Sequence, residues 1–212
     1  MSVSVIIADD HPLFRVALRL GIQTLQPTAR VVEVGSFDTL KQAVAAEPAA
    51  ALVLLDLMMP GAEGLSSLEF LRRHYPALRV AVVSSVSEET WLRMIQALGA
   101  VAFIHKSTTP EEMQRIFRSL LDGANCWPSR PAESADVEGR PDDKLGRLSR
   151  QELRILLHLK DGRLNKQIAA DLGITESTVK THISMILRKL DLQSRTQAAV
   201  LAQRLLAVPA SS

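Results

Sequence analysis

The sequence predicts an α/β fold, a doubly wound five-stranded parallel sheet, followed by a small all-α domain of four helices. Five short apolar runs alternate with five stretches of helical periodicity over residues 1–122. This alternation is typical of a parallel sheet with helices on both faces. Beyond residue 146 apolar residues recur at helical spacing, and the segment before it has three prolines and no apolar period, which indicates a linker.

The strands are predicted from apolar runs at 3–8, 30–35, 52–55, 80–84 and 102–104. The run LVLL at 52–55 is apolar at every position, as expected for a strand that helices cover on both faces. The intervening helices are predicted at about 12–25, 37–46, 64–74, 88–98 and 110–122. Thr109 and Pro110 favour the start of the last helix, because a hydroxyl N-cap and a proline at the first helical position suit a helix N-terminus. Gly123 is suited to end it.

The all-α part begins with Ser149 and Glu152, whose spacing is that of a capping box. A first helix starts there and is predicted to end at Gly162. Further helices are predicted at 165–172, 175–190 and 194–206. We therefore expect three parts, a sheet domain at 1–123, a linker at 124–146 and a helical domain at 147–208.

Charge is distributed unevenly along the chain, whose net charge is +2. Residues 1–122 carry 11 Lys and Arg against 13 Asp and Glu, whereas residues 145–212 carry 11 against 5. A basic C-terminal unit suggests a polyanionic partner such as nucleic acid, although a basic surface without a partner explains the charge equally well.

Cysteine content and hydropathy limit the class of protein. The single cysteine, Cys126, excludes an intramolecular disulfide and a multi-cysteine metal site. The N-terminal apolar run stops at two aspartates and lacks the basic segment of a signal peptide, and no stretch approaches the roughly 20 apolar residues of a membrane span. We expect a cytoplasmic protein with no membrane partner.

Polar side chains stand at the ends of four of the predicted strands. Asp9 and Asp10 follow the first strand, Asp56 follows the third, Ser84 ends the fourth, and Lys106 comes shortly after the fifth. Parallel strands that are neighbours place their carboxyl ends at one edge of the sheet, where open α/β sheets bind ligands. We therefore expect these five side chains to converge.

Three converging carboxylates repel one another unless a cation is present. Mg²⁺ prefers oxygen ligands and pairs with phosphoryl oxygens, so it is the expected cofactor. Asp56 would be a nucleophile that accepts a phosphoryl group, Lys106 would neutralise that group, and Ser84 would donate a hydrogen bond to it. Taken singly, such residues are more often helix caps or surface groups, and it is their combination that favours a site.

These residues resemble the receiver domain of a response regulator over residues 1–123. The resemblance implies that Asp56 takes a phosphoryl group from a phosphohistidine on a sensor histidine kinase. It implies that Ser84 and Phe103 carry a conformational switch, in which Phe103, lacking the hydroxyl often found at that position, donates no hydrogen bond. It also implies that Mg²⁺ is held by Asp9, Asp10, Asp56 and the backbone carbonyl of Met58. The matching positions are Asp9, Asp10, Asp56, the MMPG motif at 58–61, Gly64, Ser84, Phe103 and Lys106.

The third predicted helix of the C-terminal part has two different faces. One is an apolar stripe of Val179, Ile183, Ile186, Leu187 and Leu190. The opposite face carries short or basic side chains that suit entry into a DNA major groove, namely Lys180, Thr181, Ser184 and Arg188. With the short helix before it, the pattern is that of a helix-turn-helix, and Lys166 and Arg195 are expected to contact phosphates. A generic helical bundle with a basic face is the alternative.

Four motifs in this region resemble the LuxR-type DNA-binding domain, namely LSRQE at 148–152, NKQIA at 165–169, ITESTVKTH at 174–182 and LDLQSRTQA at 190–198. With a receiver ahead of it, the whole chain is similar to the NarL/FixJ group of response regulators. The resemblance implies base contacts from Lys180, Thr181 and Ser184, although Ser184 replaces a basic residue found in some relatives. It implies a homodimer through the fourth helix, near Ala198, Val200, Leu201 and Leu205.

The sequence therefore predicts a two-component response regulator in which phosphorylation of Asp56 controls sequence-specific DNA binding and transcription. Expected partners are a sensor histidine kinase, double-stranded DNA, a second copy of the chain and RNA polymerase. One alternative is a DNA-binding regulator that does not depend on phosphorylation and uses its receiver for docking. Another is an Mg²⁺-dependent aspartate phosphatase, which Met58 disfavours because such enzymes have a second Asp two residues after the nucleophile. We expect no enzymatic activity beyond slow loss of the phosphoryl group.

Overall fold

The computed structural model of the chain describes residues 3–62, 64–85, 89–128 and 144–206. The chain divides into two compact units, Met1–Ser129 and Arg130–Ser212. Most of the predicted linker, the first residue of the predicted helix at 88–98, and the last two residues of the predicted helical domain lie outside the described residues. Within the described residues, no helix combines the length and the hydropathy needed to cross a membrane.

The first unit is a five-stranded parallel sheet in the order β2-β1-β3-β4-β5. Its elements follow the predicted alternation closely, so the predicted fold class is confirmed. In chain order they are β1 Ser4–Ala8, α1 Pro12–Leu25, β2 Arg30–Val34, α2 Phe37–Ala46, β3 Leu52–Leu55, α3 Ser66–His74, β4 Val80–Ser84, α4 Glu89–Ala97, β5 Ala102–His105 and α5 Pro110–Leu121.

The central strands β3 and β4 are buried along their whole length, which explains their lack of apolar alternation. On one face of the sheet, α1 and α5 pack through Leu18, Ile22 and Phe117. Gly21 of α1 faces the Phe117 ring so closely that a β-carbon there would lie 2.8 Å from the ring. The absence of a side chain at Gly21 therefore sets how closely α1 can approach α5.

Local signals at the ends of α5 act as the sequence predicts. The Thr109 hydroxyl accepts a hydrogen bond from the Glu112 backbone N–H, and Pro110 is the first helical residue. Gly123 follows the helix with φ of 89°, a left-handed conformation that disfavours residues with a β-carbon.

Residues 124–128 differ from the predicted linker because they pack against β5. Ala102 and Cys126 form an isolated parallel bridge, in which the Cys126 N–H donates to the Val101 carbonyl at 3.0 Å. The Phe103 N–H donates to the Cys126 carbonyl at 3.2 Å. Arg79 donates to the Ala124 carbonyl and holds the start of this segment. The first unit thus continues past the end of α5.

The second unit is helical, as predicted, with a 3₁₀ turn at Lys144–Arg147 before the longer helices α6 Arg150–Lys160, α7 Asn165–Leu172, α8 Glu176–Leu190 and α9 Arg195–Leu206. The Ser149 and Glu152 capping box is present, each side chain bonding the other residue's backbone N–H. At the start of α9, by contrast, Gln197 accepts from the backbone N–H of Gln193, not from that of Ser194. The Ser194 hydroxyl accepts a hydrogen bond from the Gln197 backbone N–H at 3.2 Å, so α9 begins with a hydroxyl N-cap and, among the described residues, lacks the reciprocal bond of a capping box.

Glu152 also anchors the core of the second unit. Its carboxylate is 1% exposed, and Oε2 lies 2.7 Å from Lys189 Nζ of α8. This ion pair joins α6 to α8 beside an apolar core of Leu153, Leu156, Val179, Ile183, Ile186 and Leu190. Since a buried carboxylate needs a partner, the pair ties the position of α8 to that of α6.

Candidate functional site

Asp9 and Asp56 lie side by side at the carboxyl edge of the sheet. The Asp9 N–H donates to the Val34 carbonyl at 3.1 Å, and the Asp56 N–H donates to the Ala8 carbonyl at 2.7 Å. These bonds continue the sheet ladder one residue past β1 and β3, so both backbones are held rigidly. Each residue is 1% exposed. The sheet therefore fixes two buried carboxylates next to each other.

Lys106 joins this pair from the end of β5. Its Nζ lies 2.9 Å from Asp9 Oδ2 and 2.8 Å from Asp56 Oδ2. Its backbone N–H donates to the Ser84 carbonyl at 2.9 Å, which fixes the start of its side chain beside β4. The structure thus brings together one ammonium and two carboxylates that lie far apart in the sequence, as their positions at strand ends predict.

Burial and charge have opposite effects on the pKa values of Asp56 and Lys106. Burial raises the pKa of Asp56 above its usual value, and the hydrogen bond and charge of Lys106 only partly offset this effect. Burial by itself would lower the pKa of Lys106, but its hydrogen bonds to Asp56 and Asp9 raise that pKa overall. Lys106 is therefore held as an ammonium, while Asp56 sits in surroundings that favour added positive charge.

The site has the ligands that a divalent cation requires. Ligand atoms of Asp9, Asp10, His11 and Asp56 all lie within 4.8 Å of one another. Among the described residues, Asp10 Oδ1 is buried without a hydrogen-bond partner, and Asp9 Oδ2 has the ammonium of Lys106 as its neighbour at 2.9 Å. Buried oxygens of this kind fit the coordination of Mg²⁺, which prefers carboxylate ligands.

His11 is the residue of this site that sequence reasoning missed. Its Nδ1 lies 3.0 Å from Asp9 Oδ1 and 2.7 Å from Asp10 Oδ1. The available signal was its position directly after the two aspartates. Met58, the predicted carbonyl ligand, donates its backbone N–H to Asp56 Oδ1 at 3.1 Å, which orients the Asp56 carboxylate.

The two predicted switch residues lie on neighbouring strands. Ser84 is fully buried at the end of β4 and pairs in register with His105. Phe103 is 4% exposed on β5 and borders a cleft of about 460 Å³ that α5 and residues 125–128 complete. Phe103 therefore contacts the segment that follows α5 and lies on the strand that precedes Lys106.

The exposed face of α8 is the one that the sequence predicts. Val179, Ile183, Ile186 and Leu190 are buried. The four predicted contact residues on the opposite face, Lys180, Thr181, Ser184 and Arg188, are exposed. The Thr181 and Ser184 hydroxyls donate to carbonyls one turn earlier in the same helix, each at 3.1 Å, so their side-chain orientations are restricted.

Lys166 and Arg195, both predicted to contact phosphates, have different surroundings. Lys166 is exposed on the first turn of α7. Arg195 instead donates to Asn165 Oδ1 at 2.6 Å and to the Arg163 carbonyl, joining the N-termini of α7 and α9. A structural role at Arg195 is therefore present whether or not it also contacts DNA.

The residues predicted for a dimer contact on α9 differ in exposure where the structure describes them. Ala198 is fully buried within the unit, so the structure leaves its side chain no surface for a partner. Val200 is 41% exposed, and Leu201 is partly buried. The side chain of Leu205 lies outside the described residues. The apolar spacing of α9 did not distinguish burial of Ala198 inside the unit from burial in an interface.

Both units match known protein families. The response regulator receiver domain matches residues 5–118, and the LuxR family of bacterial regulatory proteins matches residues 146–202. The fold and the acidic site thus define a receiver domain joined to a DNA-binding domain.

Similarity also extends over whole relatives. The chain is 35% identical over 207 residues to the glycerol metabolism activator of Pseudomonas putida, covering 93% of this chain and 94% of that one. It is 34% identical over 202 residues to the nitrate/nitrite response regulator NarP of Escherichia coli K12, covering 93% of each. The chain belongs to the response regulators with a LuxR-type DNA-binding domain, and it is a two-component response regulator.

Solved structures share this fold. RcsB of Salmonella enterica serovar Typhimurium, bound to a promoter, matches with a TM-score of 0.55 and 24% identity over 95% of this chain and 99% of that one. The receiver domain of NarL from Mycobacterium tuberculosis matches with a TM-score of 0.50 and 28% identity, over 57% of this chain and 95% of that one.

Proposed function

We propose that Asp56 is the phosphoacceptor of this response regulator and that its phosphorylation by a sensor histidine kinase controls DNA binding. The observation that carries the proposal is the ion pairing of Lys106 with both Asp9 and Asp56, two buried carboxylates at the carboxyl edge of the sheet. An Asp56 oxygen would attack the phosphorus of a phosphohistidine. The new P–O bond would form as the P–N bond breaks and the kinase imidazole leaves.

Mg²⁺ would be held by Asp9, Asp10, Asp56 and the backbone carbonyl of Met58. It would supply positive charge against the phosphoryl oxygens during transfer. The buried Asp10 Oδ1, which has no hydrogen-bond partner among the described residues, supports this assignment. Lys106 would neutralise the opposite side of the phosphoryl group.

Ser84 would donate a hydrogen bond to the phosphoryl group, and Phe103 would move inward behind it. Both residues lie on strands that end at the acidic site. The phosphoryl group adds about −1.5 to −2 charge at neutral pH, which is sufficient to bias a two-state surface. The switch would therefore begin with the ends of β4 and β5.

The second unit would bind double-stranded DNA through α8. Lys180, Thr181 and Ser184 would contact bases, and phosphate contacts would come from Lys166, Arg188 and, in addition to its structural role, Arg195. Their exposure on one face of α8 and on α7 supports the assignment for all but Arg195. The functional parts would be a receiver at 1–123 with residues 124–128 packed against it, the remainder of the predicted linker 124–146, and a DNA-binding domain at 147–208.

A homodimer on DNA would use the exposed part of α9 at Val200, together with Leu201 and Leu205. RNA polymerase would be a further partner at promoters, and the DNA partner implies a cytoplasmic location. The chain would have no enzymatic activity apart from slow loss of its own phosphoryl group.

Intact-protein mass spectrometry after incubation with acetyl phosphate tests the phosphoacceptor. We expect one Mg²⁺-dependent phosphoryl adduct on the wild type and on Asp38→Asn, whose exposed carboxylate pairs only with Lys41 among the described residues. We expect none on Asp56→Asn. An adduct on Asp56→Asn, or an equal adduct without Mg²⁺, would contradict the proposal.

Fluorescence anisotropy with labelled promoter DNA from the chain's own genome tests the coupling to DNA binding. We expect phosphorylated wild type to bind more tightly than the unphosphorylated protein, and Asp56→Asn to show no response to acetyl phosphate. Equal affinity of the phosphorylated and unphosphorylated wild type would indicate that DNA binding does not depend on phosphorylation.

A further inference from the structure

We propose that His11 is a direct ligand of the divalent cation, and that its imidazole gives this site a preference for transition-metal ions over Mg²⁺. The inference rests on the proposed function, because it concerns the cation held by the same acidic site. It adds a nitrogen ligand to a set otherwise made of oxygens. The ion class would be the divalent first-row transition metals, such as Mn²⁺, Ni²⁺ or Zn²⁺.

The spacing of the ligand atoms fits a shared cation. His11 Nδ1 lies 2.7 Å from Asp10 Oδ1 and 3.0 Å from Asp9 Oδ1. Two ligands at right angles on an octahedral cation, with bonds of 2.0–2.1 Å, lie about 3 Å apart. The three atoms therefore have the spacing of neighbouring positions in one coordination sphere.

Hydrogen bonding accounts for only one of these contacts, that of His11 Nδ1 with Asp9 Oδ1 at 3.0 Å. A histidine ring nitrogen carries either one proton or one lone pair, so it satisfies one partner at a time. Nδ1 of His11 has two carboxylate oxygens close by and Lys106 Nζ at 3.3 Å. Asp10 Oδ1 is buried without a hydrogen bond although Nδ1 is 2.7 Å away. A cation between these atoms would satisfy the nitrogen and both oxygens together.

The groups around Lys106 allow a metal cation to replace its ammonium group beside Asp9. Lys106 Nζ holds Asp9 and Asp56 in the metal-free protein, and it also lies 5.1 Å from the centre of the Phe14 ring. An aromatic face attracts an ammonium group, so Lys106 keeps a favourable neighbour if a cation takes its place at Asp9. The His11 side chain is 61% exposed, so a metal ion can reach it from solvent.

The donor set determines the selectivity. Mg²⁺ binds oxygen ligands and gains little from an imidazole, which suits transition metals such as Ni²⁺ and Zn²⁺. Oxygen-only sites already favour later transition metals to some degree, following the general affinity order of divalent ions. His11 would increase that preference, so its removal should weaken Ni²⁺ binding more than Mg²⁺ binding.

Pulsed electron paramagnetic resonance with Mn²⁺ tests the ligand directly in the full-length chain. A histidine nitrogen bound to Mn²⁺ produces a ¹⁴N modulation, which we expect in the wild type. We expect it to be absent from His11→Ala and present in His105→Ala. His105 is the matched control because it lies at the same sheet edge, with its ring bonded to Ser107 and to the Ser85 carbonyl. Absence of the signal from the wild type, or its persistence in His11→Ala, would overturn the inference.

Isothermal titration with Ni²⁺ and Mg²⁺ tests the selectivity. We expect His11→Ala to lower Ni²⁺ affinity at least about tenfold relative to any change in Mg²⁺ affinity, the scale on which residues around a metal site act. Equal losses for both ions would overturn the inference. A protein that forms the Mg²⁺-dependent adduct on Asp56 but shows no ¹⁴N signal would retain the proposed function, whereas failure of Mg²⁺ binding and of the adduct would remove both.

Discussion

The Arg195 guanidinium lies 2.6 Å from Asn165 Oδ1 and joins the first turn of α9 to the first turn of α7. Arg188, by contrast, is exposed on the far end of α8. We expect Arg195→Ala to lower the free energy of unfolding of the second unit by about 1–2 kcal/mol, because partly buried hydrogen bonds to a charged group are lost. Urea unfolding followed by NMR signals of α7 and α9 would measure this.

Arg188→Ala is the matched variant, and we expect no change in its stability beyond about 0.5 kcal/mol. It should instead reduce the slope of log affinity against log salt concentration by about 0.9, the loss of one phosphate contact. The measurement is anisotropy over a salt series with the phosphorylated protein. Unchanged stability of Arg195→Ala would show that its bonds to α7 are unimportant.

Lys106→Met should destabilise the metal-free first unit by about 2 kcal/mol, because Asp9 and Asp56 lose their cation. The expected loss is below that of a fully buried pair, since Lys106 is 19% exposed and Asp56 can take up a proton. Mg²⁺ should bind Lys106→Met more tightly than the wild type, because no ammonium needs to move.

Fluorescence of Trp91 and Trp127, the two tryptophans of the chain, reports unfolding of the first unit. Lys41→Met removes an exposed ion pair with Asp38 and serves as the control, with no expected change in Mg²⁺ affinity. Wild-type stability together with wild-type Mg²⁺ affinity in Lys106→Met would argue against the role given to Lys106.

Gly21→Ala should destabilise the first unit by about 1–2 kcal/mol, although alanine favours a helix over glycine. A β-carbon at this position would meet the fully buried Phe117 ring at 2.8 Å and force α1 and α5 apart. Phe117→Leu provides space, so it should cost less in the Gly21→Ala background than in the wild type. Additive effects in this double-mutant cycle would show that the two residues do not clash.

Stability of the second unit should fall in acid because of Glu152. Burial by itself raises the pKa of Glu152, but hydrogen bonds from Lys189 and Ser149 outweigh it and hold that pKa below its usual value of 4.5. A carboxyl whose folded pKa is depressed stabilises the fold above its unfolded pKa, and this stabilisation is lost as pH falls below about 4.5. Glu152→Gln should flatten the pH dependence in that range.

His158 should cause a further loss of stability in acid, which begins at a higher pH than the loss caused by Glu152. Burial and the charge of Arg163 lower the pKa of His158 below its usual 6.5, so the folded unit binds its proton less readily than the unfolded chain. His158 therefore does not reduce the stability of the folded unit above about pH 6.5, and it reduces that stability progressively as pH falls below this value. Urea unfolding of wild type, His158→Gln and Glu152→Gln between pH 3 and 8, chosen to span both usual pKa values, separates the two steps.

The sequence allowed the convergence of Asp9, Asp56 and Lys106 to be predicted because parallel strands share a carboxyl edge, and each residue stands at a strand end. The apolar face of α8 was predictable for a similar reason, since helical periodicity directly reports burial. In both cases a regular backbone converts spacing along the chain into position in space.

The missed features depend on contacts that carry no periodic signal. The Arg195 bond to Asn165 joins residues 30 positions apart through the relative placement of two helices. The His11 ring position depends on a side-chain rotation, which its place in the sequence does not determine. Residues 124–128 have a linker-like composition, but their bonds to β5 are made by main-chain groups that every residue type offers.

The pairing of Cys126 with β5 has a consequence for cutting the protein into fragments. β5 is an edge strand, and unpaired main-chain groups on an edge strand invite pairing with other molecules. A fragment ending at residue 123 would leave the Val101 carbonyl and the Phe103 N–H without Cys126, whereas a fragment ending at residue 128 would keep both bonds. Light scattering should show the shorter fragment aggregating at concentrations where the longer one does not, and equal behaviour of the two would mean that these five residues give the sheet no protection against aggregation.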